Sequence, residues 1–316
     1  MSLSVNRTPV SRSSLHRTEP SFGTRLSAYL ERRVAYLLVL PTVLGIVLVD
    51  VYPLLFNFWI SFQERKISSA APTFVGLRNY QRILADPEVW NAIRVSLIFT
   101  FCSVFLSFVI GFELALLLNR QFKGRGIVRS VFIIPWAIPA FVAALAWSWM
   151  FNDQFGILSA MVRGLGWPVP IWLGRDWALW SLIGVMVWKS FPFQLVVLLA
   201  GLQAIPREQY EAAAVDGANA FRRFVSITVP LIRPVAMVGI LLAAVNAFHY
   251  FTIPWILTRG GPANATNVIP IATYNIAFIA GDFGYAAAAA VLLFLFILVM
   301  SGLYIWQYVR EVRDLG

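Results

Sequence analysis

Nearly all ionisable side chains in this sequence lie in short segments between long apolar runs, so the few inside those runs stand out as candidates for chemistry. Lys189 sits near the middle of one run, beside Trp188, Ser190 and Pro192, while Asp50 and Glu113 sit in two others. An ionisable group at membrane depth is expensive, which makes each a candidate for function. Opposite charges could equally pair as structural links. Asn246 and Tyr250 are four residues apart, which predicts an amide and a phenol on one helix face. His249, next to Tyr250, reads as a hydrogen-bonded packing residue rather than a titrating switch. A last group, Glu211 and Asp216 with the alanines between them, falls in a polar segment separating two apolar runs.

The chemistry these residues cannot do is equally informative. No Gly-x-x-x-x-Gly-Lys-Ser/Thr loop is present to cradle a nucleotide phosphate, so this chain is not expected to hydrolyse ATP. No cluster of carboxylates suggests acid–base catalysis. The two histidines, His16 and His249, are far apart, and the single cysteine, Cys102, lies in an apolar run, which argues against a disulfide or a Cys-based metal site. The expectation is no catalytic residue, no metal and no cofactor in this chain.

The elements that position these groups follow from composition. Of 316 residues, 59% are hydrophobic and 13% charged, against about 25% charged in a typical soluble domain. A bilayer core needs about 20 mostly apolar residues per helix. Six windows reach that length: residues 34–60, 90–118, 127–151, 177–201, 235–257 and 285–307. The expected class is an all-α polytopic membrane protein, with a disordered cytoplasmic tail at 1–30 and a transmembrane domain over 31–316. Residues 1–33, the loops 119–130 and 202–233 and the C-terminal segment hold sixteen Lys or Arg, and the alternate loops 63–90, 152–176 and 258–285 hold seven. That bias places both termini in the cytoplasm and loop 63–90 outside. It also accounts for the net charge of +10 without nucleic acid, since no basic patch is interleaved with aromatics. Trp167, Trp172, Trp177 and Trp180 fall where the outer interface is expected. Pro135, Pro139, Pro192 and Pro254 interrupt spans, and each removes a backbone donor.

The segment 202–230 is unusual for a membrane connector. Pro206 suits a first helical turn, Glu208 lies near the positive helix end, and Gly217 suits the left-handed residue that stops a helix. The pattern predicts two to three turns of helix, with Ala212, Ala213 and Ala214 leaving one face flat. Such a face can enter a cleft on another protein, or can be a solvated amphipathic loop.

Glu211-Ala212-Ala213, with Gly217 four residues beyond and then Ile227 and Pro230, resembles the EAA loop of binding-protein-dependent ABC importer permeases. Phe74-Val75-Gly76-Leu77-Arg78-Asn79-Tyr80 looks like the FVGLxNY segment of their carbohydrate branch, the maltose, glycerol-phosphate and trehalose type. Leu257-Thr258-Arg259-Gly260-Gly261-Pro262 is similar to its LTxGGP turn. The resemblance implies the six-span type I importer fold in a bacterial inner membrane, and an EAA loop that acts as a coupling helix. Glu211, Ala212, Ala213, Asp216 and Gly217 would then contact the ATPase. It implies a sugar substrate with Lys189, Ser190, Phe193, Asn246 and Tyr250 along its path, although these side chains differ from the maltose protein at most places. The implied partners are a second permease subunit, two ATPase subunits that bind ATP and Mg, an external solute-binding protein and membrane lipid. A non-sugar solute is the alternative within this class. An ion-coupled transporter would show inverted repeats and a carboxylate-lined ion site, and neither is seen.

Overall fold

Long apolar runs become helices because a helix satisfies its own backbone groups where water cannot. The computed structural model describes Val34, Tyr36 and residues 38–68 and 71–314, the last four by backbone alone; the tail 1–30 lies outside these. The chain divides into two units, one ending at Phe56 and the other running from Asn57. The first unit holds most of helix α1 (Leu38–Ser61), in which residues Val47–Val51 widen to π-helical geometry and the Tyr52 and Phe56 rings stack at 6.0 Å.

The second unit begins with two short antiparallel strands, β1 (Gln63–Glu64) and β2 (Thr73–Phe74), and helix α2 (Arg78–Ala85). Then come α3 (Pro87–Asn119), α4 (Arg125–Ala137), α5 (Ala140–Met150) and α6 (Ile157–Gly164). They are followed by α7 (Ala178–Gln203), α8 (Arg207–Val215), α9 (Ala220–Phe248) and α10 (Thr252–Thr258). The chain ends with α11 (Ile269–Ile279) and α12 (Phe283–Asp314). Helices α1, α3, α7, α9 and α12 are each long and apolar enough to cross a membrane, and α4 with α5 forms a sixth candidate bent by 93°.

The span expected over 127–151 is interrupted where its prolines fall, but by a sharp turn into two helices rather than a kink in one. Pro139 has no N–H to give the carbonyl of Pro135, and its ring disfavours helical geometry in the residue before it. Ile138 is accordingly extended, with φ −68° and ψ 130°. The expected fifth span, 235–257, ends earlier than expected and is continuous with a helical stretch ahead of it. Its helix starts at Ala220, where the Asn219 side chain accepts a 2.8 Å hydrogen bond from the Arg222 N–H. Arg222, Arg223 and Arg233 lower the local hydropathy without interrupting the backbone. The helix stops at Phe248 and resumes as α10, so Tyr250 lies in the break and shares no helix face with Asn246. The second span matches closely: it begins at Pro87, where Asp86 accepts the Glu88 N–H at 2.9 Å.

The central packing is α3 against α7. Ser103, Ser107, Gly111 and Ala115 recur every four residues along α3 and are all buried. Small residues in this pattern let helix backbones approach closely where no aqueous hydrophobic effect drives association. Lower on the same face, Ala115 and Leu118 meet Leu195, Leu198, Leu199 and Leu202 of α7, with Ile232 and Ala236 of α9. Gln194, fully buried, donates from Nε2 to the Gly239 carbonyl of α9 at 3.0 Å.

Away from this core, residues from the 63–90 segment tie the start of α12 in place. Asn79 donates to the carbonyls of Ser61 and Gln63, each at 2.9 Å, and the Tyr80 and Ser61 hydroxyls are 2.6 Å apart. Arg82 donates to Asp282 at 2.7 Å and lies 4.1 Å above the Tyr285 ring. Asp282 also accepts the Tyr285 N–H, and the Tyr285 hydroxyl donates to Asp86 at 2.6 Å. The Asp282 side chain is only 8% exposed whereas that of Arg82 is 54% exposed, so the carboxylate depends more on the pair. Asp282→Ala is expected to destabilise the fold by about 1–3 kcal/mol, below the full cost of breaking a buried pair. Thermal unfolding of the purified protein checks this, and a double-mutant cycle with Arg82→Ala apportions it.

Candidate functional site

Two places combine exposed or functional polar groups with a defined scaffold. The first is α8. Its nine residues follow Pro206, which precedes the first helical residue rather than occupying the first turn, and Glu208 lies in the first turn. Gly217 has φ +78°, a left-handed geometry that a side chain strains. The Gly217 N–H bonds the Ala214 carbonyl and the Ala218 N–H bonds the Ala213 carbonyl, which closes the helix end. Glu211, Ala212, Asp216 and Gly217 are exposed and Ala213 is half-buried. Val215 and Phe221 are also exposed, at 88% and 75%, and sequence reasoning did not single them out. On the other side of α8, Tyr210 anchors the helix through its hydroxyl, 3.0 Å from that of Thr228 in α9. The result is a braced helix whose acidic and alanine side chains have no ion pair with any other described residue.

The second place is the bend between α4 and α5, where α7 passes. Lys189 donates from Nζ to the Pro135 and Trp136 carbonyls, each at 3.0 Å, and to the Ile138 carbonyl. The neighbouring rings pack on both arms of the broken span. Trp188 meets Trp147 of α5 edge-on at 5.6 Å, and Phe191 meets Phe132 of α4 edge-on at 6.3 Å. Ser190 and Phe193 are half-buried on the same helix. Asn246 is exposed on α9, while Tyr250 packs at the edge of a cluster that includes residues of α3, α5, α7, α9 and α10. His249 Nδ1 lies 2.6 Å from the Val245 carbonyl, but the side chain is exposed rather than packed. The structure thus brings Lys189, Ser190 and Phe193 together on one helix. Asn246 sits in the last turn of α9 and Tyr250 in the helix break that follows it.

The turn after α10 is built from the Leu257–Pro262 residues. Arg259 and Gly260 are both left-handed, at φ 50° and 87°, and the Gly261–Pro262 bond is cis. Thr266 donates to the Thr258 hydroxyl at 2.7 Å and lies 2.6 Å from the Gly261 carbonyl. A Cβ on Gly260 would stand 3.1 Å from Asn267 Oδ1, which explains glycine there. Among the described residues no group of three or more His, Cys, Asp or Glu is placed to hold a metal.

Residues 103–310 match the family described as the inner membrane component of binding-protein-dependent transport systems. The chain is 38% identical over 278 residues to the trehalose/maltose transport system permease protein MalF of Thermococcus litoralis, covering 88% of this chain and 94% of that protein. It is 33% identical over 277 residues to the sulfoquinovosyl glycerol transport system permease protein SmoG of Agrobacterium fabrum, covering 87% and 90%. Among solved structures, a bacterial ABC transporter involved in import of the acidic polysaccharide alginate superposes with a TM-score of 0.79 at 22% identity. That alignment covers 90% of this chain and 99% of the other. The fold is therefore that of type I ABC importer permeases, and the chain belongs to the family of inner membrane components of binding-protein-dependent transport systems.

Proposed function

We propose that this chain is one permease subunit of an ATP-driven importer of a sugar or sugar derivative, resident in a bacterial inner membrane with both termini cytoplasmic. Its partners are a second permease subunit, two ATPase subunits and an external solute-binding protein. The relatives named for trehalose, maltose and sulfoquinovosyl glycerol support a sugar-like solute. The observation that carries the reading is α8: a short helix anchored at Tyr210, with Glu211, Ala212 and Asp216 turned outward. Nucleotide-driven closure of the ATPases pushes on this helix. Because Tyr210 ties α8 to the start of α9, and α9 is continuous to Phe248, displacement at one end moves the other as a lever. ATP and Mg reside in the partner ATPase.

Ser190, Phe193, Asn246 and Tyr250 line the solute path, with Lys189 at the same level. Amide, hydroxyl and ring faces suit a polyol, which needs donors, acceptors and an apolar face together. Proteoliposomes holding the assembled transporter test the reading. Uptake should require both ATP and the binding protein, and should persist when ion gradients are collapsed; uptake that tracks a proton or sodium gradient would sink it.

A further inference from the structure

We propose that Lys189 is a positioning residue: it is the tethered cation that fixes the bend in the third span, and its charge is spent on the backbone rather than offered to the solute. Within a continuous helix the Pro135 carbonyl would accept from residue 139, but Pro139 has no N–H. The Trp136 and Ile138 carbonyls lose their donors because the chain turns by 93° between α4 and α5. These three acceptors are thus left at membrane depth, where an unsatisfied backbone group is costly.

An ammonium carries three donors and no acceptor, and Lys189 directs them at these three oxygens. Its positive charge also sits at the C-terminal end of α4, where the helix dipole favours a cation. No carboxylate of another described residue forms an ion pair with it, so carbonyl oxygens alone compensate it. Trp188 and Phe191, which flank Lys189 on α7, each grip one arm of the broken span. The residue therefore sets the angle between α4 and α5, and through it the width of whatever passage lies beside them. A solute meets no free ammonium here, and discrimination between neutral and anionic solutes must arise elsewhere.

Only the transport arm of the test rests on the sugar-importer reading. In the assembled transporter, Lys189→Met should raise amide hydrogen exchange over residues 136–143 by about tenfold or more, as loss of charge-assisted hydrogen bonds loosens a local unit. Exchange in α3 should stay unchanged, and Lys189→Arg should restore most of the protection. In proteoliposomes the ratio of neutral to carboxylated sugar uptake should move less than about twofold, because only geometry changes. Exchange that is unchanged in Lys189→Met overturns the proposal, as does a tenfold shift in that ratio. Should Lys189→Met fail to assemble, Lys189→Leu is measured instead. It likewise removes every donor, and the same unchanged exchange would overturn the proposal. The exchange arm needs no transport, so it decides the role of Lys189 even if the solute is not a sugar.

Discussion

Glu211→Lys is expected to cut ATP-driven uptake by roughly a hundredfold while leaving membrane insertion and thermal stability of the permease unchanged. The two halves of this expectation come from different facts. In the isolated chain Glu211 is exposed and has no ion pair with another described residue, and exposed substitutions away from special features cost within about 0.5 kcal/mol. At the proposed interface with a partner ATPase the same reversal would set a cation in place of a carboxylate, and such changes cost about 2–5 kcal/mol, or roughly thirty- to several-thousand-fold.

Gly217→Val sharpens the test. No atom lies within 4 Å of a Cβ built there, so the free chain has room for the side chain. Only the left-handed backbone at φ +78° opposes it, at about 1–2 kcal/mol. Uptake and the ATPase activity stimulated by binding protein should both collapse in this variant, with the subunit still present in the membrane fraction. Both activities remaining near wild type in Glu211→Lys and Gly217→Val would remove α8 from the coupling role.

Much of this architecture is legible in the sequence because lipid imposes a length and a composition that hydropathy reads directly. The second span is bounded within a turn, since Asp86 and Pro87 supply a cap and a first-turn proline beside the apolar run. Direction is a different matter. Hydropathy registers that residues 127–151 are apolar, and Pro135 and Pro139 mark a weakness, but neither tells how far the chain turns. The same blindness joined α9 to α10: Phe251, Ile253, Trp255 and Ile256 continue the apolar run after the helix has ended at Phe248. At the candidate sites the local signals succeeded where backbone geometry leaves a residue signature, as Gly217 does. They failed where the partner is remote in sequence. Lys189 stood out as a charge in an apolar span, yet its partners lie 51 to 54 residues away and are carbonyls that any residue type would present.

The other large effect is expected at Gly111, where the two most closely packed helices meet. A Cβ built on Gly111 would stand 2.6 Å from Gln194 Cβ and 2.9 Å from the Leu195 backbone nitrogen, distances that no rotamer change can relieve. Gln194 cannot retreat, since it is fully buried and its Nε2 is held by the Gly239 carbonyl. On the far side a Cβ on Gly239 would lie 2.9 Å from Gln194 Oε1. One amide side chain thus fills the gap that two glycines leave, and it links α3, α7 and α9 at one level. Gly111→Ala must push α7 away from α3, at about 1–3 kcal/mol for overpacking, or roughly 2–10 °C in the unfolding midpoint of the purified protein. Gly111→Leu should prevent stable accumulation.

Gly184 supplies the control on the same helix pair, because nothing lies within 4 Å of a Cβ there. Gly184→Ala should be neutral or slightly stabilising, as alanine is the better helix former by about 1 kcal/mol. Equal midpoints for Gly111→Ala and Gly184→Ala would mean that α3 and α7 are not held at this separation. A selective loss at Gly111 would show that the close approach of the two helices limits what this position can hold. Under the proposed lever from α8 through α9, movement would reach α7 through the Gln194–Gly239 bond together with the packing of Ile232 and Ala236 on the α7 leucines.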